Sequence, residues 1–249
     1  MDGVLWLVLS LAPLLILQRG LHRELQWVLL LATRRMDVAI ALFSILFFPG
    51  ILLHEGSHFL MARLSGVRTG RFSLIPRPLP EGKLQLGFVE TASADLVRET
   101  LIGMAPLVSG LLVVAYIGLV QFELPAFGWA FRLSDFQVFI RSLQEVTEKP
   151  DFWLWFYLAL VVSSTMLPSA SDRRTWLPLI VLIALLLGIS LALGAGPWLY
   201  QTLAAPLNQG LKAVSTLFGM SALLHGLILP FVWLLRWMLS RLTSLDGVL

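Results

Sequence analysis

Long apolar runs separated by short polar stretches constrain the fold of this chain more than any other feature. They occupy residues 4–17, 25–33, 38–64, 101–120, 152–167, 176–193 and 211–239. A helix of about 20 apolar residues crosses a bilayer. Only 13% of the residues are charged, about half the share found in soluble domains. The sequence therefore predicts an all-α polytopic membrane protein with about six transmembrane helices.

The apolar runs follow one another without an appended soluble domain, so residues 1–249 are expected to form a single integral membrane domain. We expect a first span to end at the polar residues 18–20, and residues 194–210 to connect the last two spans. The domain then divides into an N-terminal span with an interfacial segment (1–37), a core (38–175) and C-terminal spans (176–249).

Composition also excludes several classes of function. The chain has no cysteine, which excludes disulfides, thiolate catalysis and cysteine-ligated zinc. The net charge of +3 is accounted for by arginines at the ends of the spans. No basic tract interleaved with aromatic residues and no glycine-rich phosphate loop is present, so no nucleic-acid or nucleotide partner is expected.

The run at 38–64 contains the motif His-Glu-x-x-His, formed by His54, Glu55 and His58. Residues four apart share one face of a helix, so the two imidazoles can bind one metal ion. Glu55 can then act as the base that takes a proton from water, as in zinc metalloproteases. Such residues are costly to bury in a bilayer, which favours a functional role. The alternatives are a polar contact between helices or a helix end that faces headgroups.

Pro49 and Gly50 directly precede the motif. Both residues are tolerated in spanning helices but loosen or kink them. A break at this point, just before the metal-binding turn, and an ordinary kink without a chemical role are both consistent with the sequence.

After the motif helix, residues 71–76 and 83–90 have the pattern of two short strands around a turn at 77–82. The sequence predicts a small β-hairpin at the membrane surface near the site. An exposed strand edge of this hairpin can pair with an extended substrate. The alternative is a loop that only covers the site.

Catalytic zinc keeps three protein ligands and an open position, so a third ligand is required. Asp172 is a candidate because it follows a helix end broken by Pro168 on the same side as the motif. Alternatively, Asp172 caps the next helix or pairs with Arg173 or Arg174. His225, near the middle of its span, is the rival ligand.

The distribution of basic residues predicts the orientation. Threading the spans places one group of basic residues on the side of the motif: Arg63, Arg68, Arg71, Arg77, Lys83, Arg98, Arg173, Arg174, Arg236 and Arg241. The acid-rich segment 121–151 lies on the other side. The positive-inside bias then predicts that the site faces the cytoplasm.

Three segments resemble the site-2 protease family of intramembrane zinc proteases. The first is His54-Glu55-x-x-His58 in a spanning helix, and the second is Gly103-x-x-Pro106-x-x-x-Gly110. The third, from Pro168 to Asp172, is similar to the segment in which an Asp of that family completes the zinc site. The resemblance covers residues 38–174. It departs from the family where Arg173 replaces a Gly, and where Ser163 or Ser164 replaces an Asn that helps to hold the substrate.

The resemblance implies a zinc metalloendopeptidase that cleaves peptide bonds of membrane-protein substrates in or beside the lipid bilayer. It implies Zn²⁺ bound by His54, His58 and Asp172, with Glu55 as the catalytic base. The implied location is a bacterial cytoplasmic membrane. The main alternative is an inactive protease-like scaffold or assembly subunit of a membrane complex. A metal or proton transporter is the weaker third alternative, because apart from His225 the spans carry few polar residues.

Overall fold

The computed structural model describes residues 2–78, 84–123 and 144–243, which are almost entirely helical. The helices and strands in chain order are α1 (Gly3–Thr33), α2 (Met36–Leu46), α3 (Phe48–Leu64), β1 (Thr69–Ser73), β2 (Arg77–Pro78), β3 (Leu84–Gln85), β4 (Phe88–Thr91), α4 (Leu96–Tyr116), α5 (Phe152–Thr165), α6 (Trp176–Ala192) and α7 (Gly196–Thr243). A π-helical turn, Ile117–Gln121, extends α4. Most of the acid-rich segment 121–151 lies outside the described residues.

The described helices are consistent with a membrane protein. Helices α1, α4 with its π-helical turn, and α7 are each long and apolar enough to cross a membrane, and α2 with α3 forms a fourth candidate if the bent pair is one span. Helices α5 and α6 are apolar but shorter, with 14 and 17 residues. The structure therefore supports three to four candidate spans, and the expected number of six is not confirmed.

Helix α1 corrects the prediction for the N-terminal region. The expected break at residues 18–20 is wrong, because α1 continues unbroken for 31 residues, about 46 Å. Gln18 does not end the helix because its side-chain amide donates a hydrogen bond to the backbone carbonyl of Ser164 on α5. A polar residue with a buried partner is compatible with the middle of a membrane helix.

The motif run is divided into two helices. Helix α2 ends at Leu46 and α3 begins at Phe48, and their axes meet at 72°. Pro49 lies in the first turn of α3. The N–H groups of a first turn have no acceptor within the helix, so the missing N–H of proline costs no hydrogen bond there. Gly50 packs so closely on α5 that a Cβ there would overlap the carbonyl of Val161 and the hydroxyl of Thr165. The break before the motif is confirmed, and it lets α3 lie directly against α5.

The scaffold of the bundle is formed by α1 and α7, which run in the same direction and pack along their lengths. Asp2 and Lys212 form an ion pair of 2.8 Å at one end. Glu24 and Arg236 form one of 2.7 Å at the other end, where Glu24 is only 3% exposed. Between these pairs lies the main apolar cluster, which joins α1, α4, α5 and α7 through Leu14, Val114, Val162, Met166, Phe218 and Ala222.

Helix α7 differs from the sequence interpretation in its length. Residues 196–210 were expected to be part of a connecting stretch but are helical, so that α7 runs for 48 residues with Pro206 and Pro230 inside it. Only residues 193–195 separate it from α6. Prolines are tolerated within membrane helices because neighbouring groups satisfy the freed carbonyls.

The direction of α7 also corrects the predicted distribution of charge. Ser164 lies beside His225, and the earlier residue Leu160 packs in a cluster with the later residue Val232. Helix α7 is thus antiparallel to α5. Arg236 therefore lies at the opposite end of the bundle from Asp172, and the expectation that the two share a side is wrong.

The predicted hairpin after α3 is present, with shifted strand boundaries. Strands β1 and β4 pair in antiparallel fashion with Phe72 opposite Val89 and an irregularity between Thr69 and Phe72. Strands β2 and β3 form a second antiparallel pair closer to the tip. Together they confirm a small surface β-structure between the motif helix and α4. The tip itself, residues 79–83, lies outside the described residues.

Candidate metal centre

The side chains of His54, His58 and Asp172 converge at the point where α3 meets the end of α5. The two histidines lie one turn apart on α3, with ring centroids 4.9 Å apart. His54 Nε2 is 3.8 Å from Asp172 Oδ2, and His58 Nε2 is 3.4 Å from Asp172 Oδ1. One potential ligand atom from each residue lies within 4.8 Å of the others. In the described part of the chain, no other group of three such residues converges in this way.

A tight turn after α5 positions Asp172. Its Oδ2 accepts a hydrogen bond of 2.7 Å from the Ser169 N–H, and its own N–H donates to Ser169 Oγ. Gly103 of α4 lies against this turn so closely that a Cβ would overlap the Asp172 carbonyl oxygen. Helix α4 thus holds the turn from one side, and only a glycine fits at this position.

The other roles considered for Asp172 are not realised. Helix α6 begins at Trp176 with Thr175 as the preceding residue, so Asp172 does not cap it. The carboxylate contacts the two histidines, and neither Arg173 nor Arg174 forms an ion pair with it within the described ranges. The hydrogen bond from the Ser169 N–H to Oδ2 favours the ionised form of the carboxylate.

Each histidine is oriented by a backbone carbonyl. His54 Nδ1 lies 2.6 Å from the Thr165 oxygen, which is the last carbonyl of α5. His58 Nδ1 lies 2.8 Å from the Ile102 oxygen in α4. Because a carbonyl oxygen only accepts, each Nδ1 must be the donor, and the lone pair of each neutral imidazole is therefore on Nε2. This arrangement is typical of metal-binding histidines.

The two Nε2 lone pairs and the Asp172 carboxylate therefore face one another across a small space. Electron-rich atoms in this arrangement repel one another unless a cation lies between them. The donor set of two imidazoles and one carboxylate fits a divalent metal ion. The three side chains are 10–14% exposed, so water can reach the centre. The arrangement can therefore hold a metal ion and leave a position open to solvent.

Glu55 lies beside this centre but is not one of the converging groups. It is 9% exposed, and Gly87 covers it: a Cβ on Gly87 would lie 2.7 Å from Glu55 Cγ and 3.1 Å from the Ser73 carbonyl oxygen. The structure thus places the predicted hairpin over the motif. The carboxylate of Glu55 remains available for proton transfer, and a larger residue than glycine at position 87 would displace it.

His225 lies in a separate polar contact. It is fully buried, its Nδ1 donates to the Ser221 carbonyl, and its Nε2 accepts from Ser164 Oγ at 2.7 Å. Ser163 is also fully buried, and its hydroxyl donates to the Leu160 carbonyl. Of the two candidates for the third position, the structure brings Asp172, and not His225, to His54 and His58.

The sequence interpretation missed four groups of the site: the two carbonyls that orient the histidines, Ser169 and Gly87. Ser169 had a local signal, since a Ser three residues before an Asp, directly after a helix-ending Pro, is typical of a side-chain-stabilised turn. The partners of His54 and His58 had no such signal, because they come from helices that are distant in sequence.

No protein-family model matches the chain, and no curated protein or solved structure is found to be similar to it. The resemblance to site-2 proteases therefore remains a prediction from the motifs.

Proposed function

We propose that the chain is an intramembrane zinc metalloprotease of the site-2 type, which hydrolyses peptide bonds in or next to membrane-spanning substrates. The observation that carries this proposal is the convergence of His54, His58 and Asp172, with Glu55 adjacent to them on the same helix. Two nitrogens and one oxygen with an open position are the ligand set of many catalytic zinc sites. The position of the metal centre among apolar helices favours a substrate that also resides in the membrane.

Zinc bound at this centre would supply Lewis-acid activation of water and of the scissile carbonyl. In the proposed mechanism, Glu55 accepts the proton of the attacking water and then delivers it to the leaving amine. Its burial beneath Gly87 shields this proton transfer from bulk water. Thr165 and Ile102 hold the histidine rings in place through their carbonyls.

The hairpin provides a place for the substrate. Among the described residues, no third strand pairs with the outer side of β1, so a further strand can be added there. A substrate helix must unwind before its peptide bond can be cut, and an unwound segment can recover backbone hydrogen bonds by pairing with such an edge. Since Gly87 of this hairpin touches Glu55, a paired segment would lie next to the base.

We propose that the site opens to the cytoplasmic face of a bacterial membrane. The support comes from the basic residues near the site end of the bundle: Arg63, Arg68, Arg71, Arg98, Arg173 and Arg174. The natural chain has no cysteine, so single cysteines report accessibility directly. Thr91→Cys is expected to react with a membrane-impermeant maleimide from the cytoplasmic side, and Leu242→Cys from the opposite side. The reverse pattern would contradict the proposed orientation.

Cleavage is tested by comparing the membrane proteins of cells that express the wild type or Glu55→Gln. We expect new peptide termini, identified by mass spectrometry, within or beside transmembrane segments only with the wild type. The variant keeps the size of the side chain but cannot accept the proton. Identical sets of termini in both cells, with zinc present in the purified wild type, would contradict the protease function.

One observation favours a second function, an inactive protease-like scaffold or assembly subunit of a membrane complex. Ser163 and Ser164 occupy the position where the family has its substrate-holding Asn, and both hydroxyls are buried and bonded to other groups. Neither is therefore free to hold a substrate. The scaffold function predicts a complex that assembles equally well with Glu55→Gln.

A further inference from the structure

Pro106 lies inside α4, one turn after the carbonyl that orients His58. It is among the fully buried residues of the bundle. In a regular helix the carbonyl of Ile102 would accept the N–H of residue 106, but proline has no N–H. The proline ring also crowds the carbonyl four residues earlier and pushes it away from the helix axis. The Ile102 oxygen is therefore released from the helix and directed outward.

We infer that Pro106 is a positioning residue for the metal centre, because the N–H it lacks reserves the Ile102 carbonyl for His58. The Ile102 oxygen and His58 Nδ1 lie 2.8 Å apart. Both residues are 8% exposed, so water is a poor substitute for either partner. The unpaired carbonyl and the imidazole N–H thus satisfy each other. This inference rests on the proposed metal centre.

The same relation occurs a second time near the site. Pro168 follows α5 and cannot donate to the carbonyl of Ser164, which instead accepts from the Gln18 side chain. The other prolines inside helices behave differently. Pro13, Pro206 and Pro230 would release the carbonyls of residues 9, 202 and 226, and none of the side-chain hydrogen bonds in the described ranges reaches those oxygens. Pro230 therefore offers a matched control, since it is a helix-interior proline without a histidine partner.

The effect of Pro106 on the metal centre is indirect. With the Nδ1 proton held by the Ile102 carbonyl, His58 presents its Nε2 lone pair toward Asp172. The hydrogen bond also fixes the plane of the ring and raises the basicity of Nε2. An N–H at position 106 would compete for the carbonyl and draw it back toward the helix axis. The imidazole would then lose its fixed orientation, although no ligand has been removed.

The test measures zinc affinity by competition with a chelator in detergent-purified protein. Pro106→Ala is expected to bind zinc 10–100-fold more weakly than the wild type, the usual effect of losing such a partner. Pro230→Ala is expected to bind as the wild type does. The metal-free Pro106→Ala protein should keep nearly the wild-type resistance to unfolding, since the N–H restored within the helix offsets the packing lost with the buried ring. Weaker zinc binding without loss of stability is not expected from a merely structural residue.

A backbone variant separates the missing N–H from the shape of the ring. Incorporation of the α-hydroxy analogue of alanine at position 106 removes the N–H without the proline ring, and we expect it to restore zinc affinity to within about threefold of the wild type. In ¹⁵N-histidine spectra, the Nδ1 proton of His58 should be protected from exchange in the wild type and in this analogue, and unprotected in Pro106→Ala.

The outcomes distinguish this inference from the proposed function. Zinc bound equally tightly by the wild type and Pro106→Ala would overturn the role of Pro106 and leave the metal centre intact. Failure of the α-hydroxy analogue to restore affinity would assign the effect to the ring and would also overturn the inference. Absence of zinc from the wild type would overturn the metal centre itself, and the inference with it.

Discussion

Gly103→Ala changes the closest contact between α4 and the turn that carries Asp172. Helix propensity alone favours alanine over glycine by about 1 kcal/mol in a helix interior. In this structure, however, the added Cβ would overlap the carbonyl oxygen of Asp172. That obstacle is backbone, which cannot rotate away as a side chain can, so the overpacking cost falls near the upper end of its usual range, about 3 kcal/mol.

The expected net effect of Gly103→Ala is thus a loss of about 2 kcal/mol in the free energy of unfolding, or a ~30-fold change in the ratio of folded to unfolded protein. The shifted turn also moves the Asp172 carboxylate, and zinc affinity should fall about tenfold. Gly219→Ala in α7 is the matched control, because a Cβ there meets nothing within 4 Å. It should gain up to about 1 kcal/mol and bind zinc normally.

The assay is denaturant titration in mixed micelles for both variants, followed by chelator competition for zinc. The critical result is the sign of the difference in the free energy of unfolding between Gly103→Ala and Gly219→Ala. If Gly103→Ala were stabilised as much as Gly219→Ala, the close approach of α4 to the Asp172 turn would be refuted. If its stability fell but zinc affinity did not, the turn would not be what positions the carboxylate.

Two further substitutions test the packing around the site. Ser164→Ala leaves Nε2 of the buried His225 without a partner. It should lower the free energy of unfolding by about 1–3 kcal/mol in the micelle titration, with zinc affinity unchanged. Weaker zinc binding would make His225 a candidate ligand again. Arg236→Ala leaves Glu24 buried with only the exposed Arg23 beside it and should cost about 3 kcal/mol. Replacing both Glu24 and Arg236 with Met should recover most of that loss, and no recovery would refute the buried ion pair.

The sequence predicted the convergence of His54, His58 and Asp172 where their geometry is local. His54 and His58 share a helix face by their spacing, and Pro168 predicted the helix end that brings Asp172 to the site side. The choice between Asp172 and His225 could not be made from sequence, since it depends on depth within the bundle. In the structure His225 bonds to Ser164 and is not one of the converging groups.

The parts that were predicted wrongly depend on contacts between distant residues. Gln18 resembled the end of a span, but its partner is a carbonyl 146 residues away that Pro168 leaves unpaired. The stretch 194–210 resembled a linker because of its prolines, yet residues 196–210 form the first part of α7. Hydropathy gives the tendency of a segment to enter the membrane, but not the partner that satisfies a polar group within it.

The most direct test of the account is the zinc content of the detergent-purified protein, measured for the wild type, His54→Ala and Asp172→Ala. We predict about one zinc ion per chain in the wild type and none in either variant, while Gly219→Ala retains its zinc. Zinc lost in His54→Ala but kept in Asp172→Ala would remove the carboxylate from the centre. A wild type that binds no zinc after reconstitution would contradict the metalloprotease function.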